Sequence, residues 1–293
     1  MNDLTALRPY FERACAQAAK ACLPWIGRGN KEAADAAAVD AMRAIFATAP
    51  MSGRIVIGEG ERDEAPMLFI GEEVGAGGPA IDIAVDPLEG TTLCAEDRPG
   101  ALCVAAFAPR GGLLHAPDVY MQKIAAGPGL SLEAEDLDRP LGEVLARLTA
   151  EAGRPLSVVM LDRERHQELK DAALAAGATL ALIPDGDVMG ALQTSMPDSS
   201  GKPPFDVYVG SGGAPEGVLA AAGLGSLGGS MFGRLIFRSE DERVRAERLG
   251  LDDLNRVFAR DDLAAPGSTL VLAGVTEHVL KRVTADWADV MVV

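Results

Sequence analysis

Apolar residues recur every three or four positions near the start of the chain, at Leu4, Leu7, Phe11, Ala14 and Ala18, and this spacing predicts an amphipathic helix that ends near Pro24. The same period returns after "GRGN" in "KEAADAAAVDAMRAIFATAP", with Val39, Met42, Ile45 and Phe46 as the apolar stripe. Asp35 lies one turn before Val39, near the helix start and on its buried side, where a carboxylate needs a partner. The period then shortens. "GRIVIGEGE" is a β-branched run entering a Gly-rich turn, and "AIDIAVD" is a second strand that ends in acid. Between them, "RDEAPMLFIGEEVG" predicts a helical turn followed by a short helix. "ALCVAAFAPRGGLLHAPDVYMQKIAAG" predicts an antiparallel, hairpin-rich region turning at "PRGG".

Beyond "LDRPLGEVLARLTAEAGRP" strands and helices alternate: "LSVVML", "ERHQELKDAALAAG", "TLALIP", "DVYVG" and "APEGVLAAAGLG". Each of these strands runs into a polar loop, "DRER", "DGD" or "GSGGAPEG", the place where α/β sheets bind ligands. The change of pattern divides the chain into residues 1–150, a mixed or antiparallel-sheet subdomain, and 151–293, an α/β subdomain. A length of 293 residues accommodates either two packed subdomains or one large α/β domain.

A formal charge of −16 argues against nucleic acid or an anionic membrane as partner, because both would be repelled at long range. An anionic substrate would need local cations. Cys15, Cys22, Cys94 and Cys103 lack CxxC spacing and are too few for a disulfide framework, which favours a reducing cytoplasm. Charged residues interrupt the N-terminal apolar positions and no run of eighteen apolar residues occurs, so neither a signal peptide nor a membrane span is expected.

Five acidic residues stand where structure alone would not ask for acid: Asp35, Glu59, Asp86, Glu89 and Glu216. Glu59 and Glu61 share a face if "IGEGE" stays extended, Asp86 closes a strand, and Glu89 follows in the turn of "DPLEGTT". Mg²⁺ and Mn²⁺ are held by a few carboxylates, water and substrate phosphate oxygens, so this set suits a hard divalent cation. The three histidines show no zinc-site spacing, and neither a GxSxG elbow nor a GxxxxGK[ST] loop is present. Metal-assisted hydrolysis of a phosphoester remains, with Thr91 placed to orient water and Arg163 and Arg165 placed to clamp a second phosphate. Each element also has a plain structural explanation: "DPLEG" alone is a common turn, Asp35 a helix-dipole partner, and the arginines solvated surface. Their conjunction favours the site.

Taken together, "GRGNKEAADAAAVDAMR", "IVIGEGERDEAPMLFIGEEVG", "DIAVDPLEGTT", "HAPDVYMQK", "IPDGDV", "MPDS" and "GGAPEGV" closely resemble the class II fructose-1,6-bisphosphatases, in order, from about residue 25 to residue 236. The resemblance implies a layered α/β/α/β/α fold shared with inositol monophosphatases and Mn²⁺- or Mg²⁺-dependent removal of the 1-phosphate of fructose 1,6-bisphosphate. It puts the metal ligands at Asp35, Glu59, Asp86, Glu89 and Glu216, and the catalytic group at Thr91 with Glu59 and Asp86. Substrate contacts are implied at Glu89, Gly90, Thr91 and Tyr120, at Arg163, Glu164 and Arg165, at Asp185, Gly186 and Asp187, and at Gly213. A homo-oligomer is a further expectation. Sedoheptulose 1,7-bisphosphate as a further substrate, and a non-catalytic sugar-phosphate-binding regulator, stay open as alternatives. Asn30 departs from the pattern by standing where many relatives have Asp.

Overall fold

The computed structural model describes residues 4–60, 67–198 and 200–293. The chain divides into two compact units, residues 1–115 with 267–293, and residues 116–266. The boundary expected near residue 150 falls inside a helix of the second unit.

In the first unit, helices α1 (Arg8–Ala21) and α2 (Lys31–Phe46) precede strands β1 (Ser52–Ile57), β2 (Glu73–Val74) and β3 (Ala80–Glu89). Helix α3 (Thr91–Ala95) and strand β4 (Leu102–Pro109) follow. The second unit contains β5 (Tyr120–Ala126), α4 (Leu141–Ala152), β6 (Ser157–Leu161), α5 (Gln167–Ala175), β7 (Thr179–Ile183) and α6 (Asp187–Leu192). It continues through β8 (Val207–Gly213), α7 (Ala214–Leu227), β9 (Ser230–Ile236), α8 (Glu240–Arg248), β10 (Val257–Ala259) and α9 (Arg260–Leu263). Strands β11 (Thr269–Gly274) and β12 (Val290–Val292) return to the first unit. Among the described residues each unit holds one six-stranded mixed sheet, in the orders β12-β11-β4-β3-β1-β2 and β10-β9-β5-β8-β6-β7. The class is α/β, as the sequence implies. Among the described residues no helix is long and apolar enough to cross a membrane.

The first core forms because α1 and α2 present their stripes to the sheet. Phe11 stacks on Phe107 of β4 with ring centroids 4.2 Å apart and tilts against Phe46 of α2 at 4.9 Å. Asn30 starts α2 by accepting a hydrogen bond from the amide of Ala33 at 3.0 Å, so the position that departs from the family pattern has a capping role here. In the second unit α4 buries Leu141, Val144, Leu145 and Leu148 at helical spacing against Ile124, Val158, Met160 and Val207. It stops at Gly153, whose φ of 66° reverses the chain.

Three local expectations are corrected. "PRGG" does turn the chain, with the Gly112 amide bonded to the Pro109 carbonyl, but the strands on either side do not form a hairpin. β4 pairs with β3 and β11, whereas β5 pairs with β8 and β9 in the other sheet. Glu61 and the helical turn expected at "RDEAP" lie outside the described residues; the following helix is absent, because residues 67–72 bend and turn to bring β2 antiparallel to β1. Finally, Glu89 is not in a turn: β3 continues through it, and the chain bends at residues 58–60 instead of staying extended.

Candidate active site

Strands β1 and β3 are parallel neighbours, so their C-terminal ends meet the same edge of the sheet. Glu59 follows β1 after a single residue, Gly58, and Asp86 and Glu89 close β3. A bulge separates the latter two, since Asp86 pairs with Val104 and Glu89 with Leu102 of β4. The extra residue includes Pro87, which has no amide to give the ladder. Asp86 Oδ1 accepts from the amide of Leu88 at 3.2 Å, folding its carboxylate back onto the bulge, and Glu89 is buried. Gly90 then takes φ 78°, a left-handed conformation that starts α3 at Thr91.

Helix α2 packs on β3 and α3, which brings Asp35 to this edge. Its carboxyl and that of Glu59 share a hydrogen bond, and such a bond needs one of the two to be protonated. Burial pushes the Glu59 carboxyl up to about 8, and the neighbouring Asp35 adds to the shift. Burial likewise raises Asp35. Among the described residues no three His, Cys, Asp or Glu side chains converge as a metal cage. The expected ligands are brought together as one carboxyl pair, Asp35 with Glu59, and one strand end, Asp86 with Glu89.

In the second unit Tyr120 opens β5 opposite Gly213, the last residue of β8. The start of β5 therefore lies at the edge where the parallel strands β6, β7 and β8 finish. Arg165 lies over the Tyr120 ring at 5.0 Å, and a second guanidinium, Arg238, at 4.6 Å. Arg165 also donates to the Ser211 hydroxyl at 3.0 Å and to its carbonyl at 2.7 Å. Arg163 donates to the Pro184 carbonyl at 2.6 Å, tying the loop after β6 to the loop after β7. Glu164 between them is exposed and starts a short 3₁₀ turn.

Beneath this loop His166 is buried. Its Nε2 accepts from the Ser211 amide at 2.9 Å and its Nδ1 meets the Leu161 carbonyl at 2.9 Å, which assigns the Nδ1–H tautomer. Burial lowers its pKa, so the neutral ring is a structural link between β6 and β8. Asp185 and Gly186 form the turn before α6, where Asp185 Oδ1 accepts from the Gly186 amide at 3.2 Å. Asp187 faces inward: it pairs with Lys123 and accepts from the Tyr208 hydroxyl. Gly213 caps α7. Glu216 in the first turn of that helix has a buried Oε2 without a hydrogen-bond partner, and burial raises its pKa against the pull of Lys123.

Lys123, Tyr208, His166 and Arg238 were not anticipated. A signal existed for Lys123, a lysine inside the apolar strand "YMQKIAA" at the parity of Met121 and Ala125. For Arg238 none did, since its neighbour Tyr120 lies 118 positions away in the chain (238 − 120).

A family model described as bacterial fructose-1,6-bisphosphatase, glpX-encoded, matches residues 5–291. The chain is 42% identical over 285 residues to fructose-1,6-bisphosphatase 1 class 2 of Escherichia coli (strain K12), covering 91% of this chain and 83% of the relative. It is 41% identical over 283 residues to the D-fructose 1,6-bisphosphatase class 2/sedoheptulose 1,7-bisphosphatase of Prochlorococcus marinus (strain MIT 9303), covering 90% and 83%.

Proposed function

This chain belongs to the family of glpX-encoded bacterial fructose-1,6-bisphosphatases, and from that premise we propose that it converts fructose 1,6-bisphosphate to fructose 6-phosphate and phosphate. The observation that carries the reading is the carboxyl pair Asp35–Glu59 at the sheet edge where β3 ends in Asp86 and Glu89, two residues before Thr91. Two half-buried carboxyls held side by side form a donor set suited to a hard cation, and all-oxygen ligands fit Mn²⁺ or Mg²⁺. Asp35, Glu59, Asp86 and Glu89 of the first unit are the proposed ligands; Glu216, the fifth ligand that the resemblance implies, stands in the second unit with a buried Oε2 that has no hydrogen-bond partner.

The chemistry that a divalent cation supplies in such a site is neutralisation of charge on the phosphoryl oxygens and on the departing oxygen. Thr91, half-buried at the start of α3, orients the attacking water through its hydroxyl for in-line displacement. The bond from phosphorus to the oxygen on C1 breaks, and a proton from solvent completes the sugar hydroxyl. Gly90 and Thr91 offer amides to the reacting phosphate, and Arg163 and Arg165 the charge for the other. Tyr120 covers the sugar, whose hydroxyls donate to the carboxylates of the Asp185–Asp187 loop.

Phosphate release from fructose 1,6-bisphosphate is the test, with Mn²⁺, with Mg²⁺ and with EDTA. Metal-dependent release is expected; no release under any metal would overturn the assignment. The bifunctional name of the Prochlorococcus relative favours a second substrate, sedoheptulose 1,7-bisphosphate, and kcat/KM on the two sugars decides its rank. The proposal includes a cytoplasmic homo-oligomer, supported by four free, buried cysteines on the first point and checked by light scattering on the second.

A further inference from the structure

Lys123 is 1% exposed in the middle of β5. Its ammonium donates to Asp187 Oδ2 and, at 2.8 Å, to the Gly213 carbonyl. Asp187 begins α6 after the loop from β7, and Gly213 caps α7 after β8, so one cation holds two loops that belong to different strands. Tyr208, fully buried on β8, donates to the other carboxylate oxygen of the same Asp187. Two glycines leave the room this requires. A Cβ at Gly212 would lie 2.0 Å from Asp187 Oδ2, and one at Gly217 would lie 3.3 Å from Lys123 Cδ.

Stability does not account for such a pair. Desolvating an ammonium and a carboxylate costs several kcal/mol, and well-packed apolar side chains in place of a buried ion pair are often neutral or stabilising. A methionine would fill the lysine slot without that cost. The geometry supplies another use. A carboxylate has about four lone-pair sites. Lys123 and Tyr208 take two from inside the protein, which fixes the plane of the group and leaves two for hydroxyl donors.

We propose that Lys123 is a positioning residue for the sugar end of the substrate: through one ammonium it fixes the Asp187 carboxylate and the Gly213 carbonyl in the geometry that receives the sugar. This rests on the functional reading above, in which Asp187 accepts sugar hydroxyls. It acts through Asp187, so its removal weakens substrate binding and leaves the chemical step nearly intact.

The test is steady-state kinetics on fructose 1,6-bisphosphate at saturating Mn²⁺ with wild type, Lys123→Met, Asp187→Asn and the double variant. Lys123→Met should raise KM about tenfold or more while kcat stays within about threefold, and the double variant should be no worse than the poorer single. Lys123→Gln, which keeps a donor without the charge, should fall between wild type and Lys123→Met. A wild-type KM in Lys123→Met, or single effects that multiply in the double variant, would overturn the inference. So would loss of cooperative melting in both Lys123 variants, because the pair would then serve the core. An active wild type with unaltered KM in Lys123→Met removes this inference alone; a wild type that releases no phosphate removes the functional reading with it.

Discussion

Asp35 and Glu59 in the first unit are half-buried carboxyls and Asp187 in the second is a buried one, and they are left in opposite electrostatic company. Asp187 has a cation of the protein's own, the ammonium of Lys123, and a hydroxyl on its other oxygen. Glu59 has another carboxyl instead, and burial with that like charge pushes it up to about 8. Oxygen ligands that the chain leaves without a resident positive charge are those suited to an exchangeable one. Where the chain supplies the charge itself, the carboxylate is a fixed acceptor. The same residue type thus separates into a metal-side role and a sugar-side role by neighbours alone.

The sharpest way to break that comparison is to neutralise the metal-side carboxylates. Asp86→Asn and Glu59→Gln should each abolish phosphate release at saturating Mn²⁺ in a malachite-green assay, and full activity in both would mean that the pair holds no catalytic cation. Next in size, Thr91→Ala should lose on the order of 10²-fold in kcat while Thr91→Ser retains measurable turnover. Equal rates for the two would remove the hydroxyl from its role.

A third prediction uses pH. A carboxyl whose pKa is raised on folding binds its proton more tightly in the native state, so its contribution to stability is complete below the ordinary carboxylate range and is lost as pH rises through about 8. In metal-free protein, Glu59→Gln should therefore gain melting temperature relative to wild type as pH goes from 5 to above about 8. Mn²⁺ should reverse the order at the upper end by stabilising only the wild type. A pH-independent difference in calorimetric scans would show that Glu59 ionises normally. The smallest effect is expected at Asn30→Ala, about 1 kcal/mol from the lost cap of α2, read from the urea midpoint. Because Asn30 carries no charge, the Mn²⁺ dependence of activity should stay as it was.

The elements that could be read from the sequence are those whose signal is local. The stripes of α1 and α2, the β-branched run of β1 and the alternation from β6 to α7 are each complete within one segment, and all form. What escaped depends on pairing across long separations. β4 and β5 look like hairpin partners because both are antiparallel and joined by a Gly turn, yet β4 finds β11, with Ala106 opposite Leu270. Nothing in "DPLEG" announces the bulge that keeps Glu89 in β3. The candidate residues themselves were legible as motifs, while the groups that orient them were not. Lys123 lies 64 positions from Asp187 (187 − 123), and His166 ties Leu161 to Ser211 from inside a loop whose arginines attract attention first.

The first unit is built from two separated stretches of chain, with the whole second unit inserted between residues 115 and 267. On a ribosome this sets an order of events. The continuous 116–266 segment has all its strands once it emerges, whereas β4 must wait with one edge unpaired until β11 is synthesised more than 150 residues later, since 269 − 109 is 160. Helix α1 waits too, because β11 and β12 are among the elements it packs against. The half-finished sheet exposes an apolar strand edge during that interval, and growth of the chain end is what closes it.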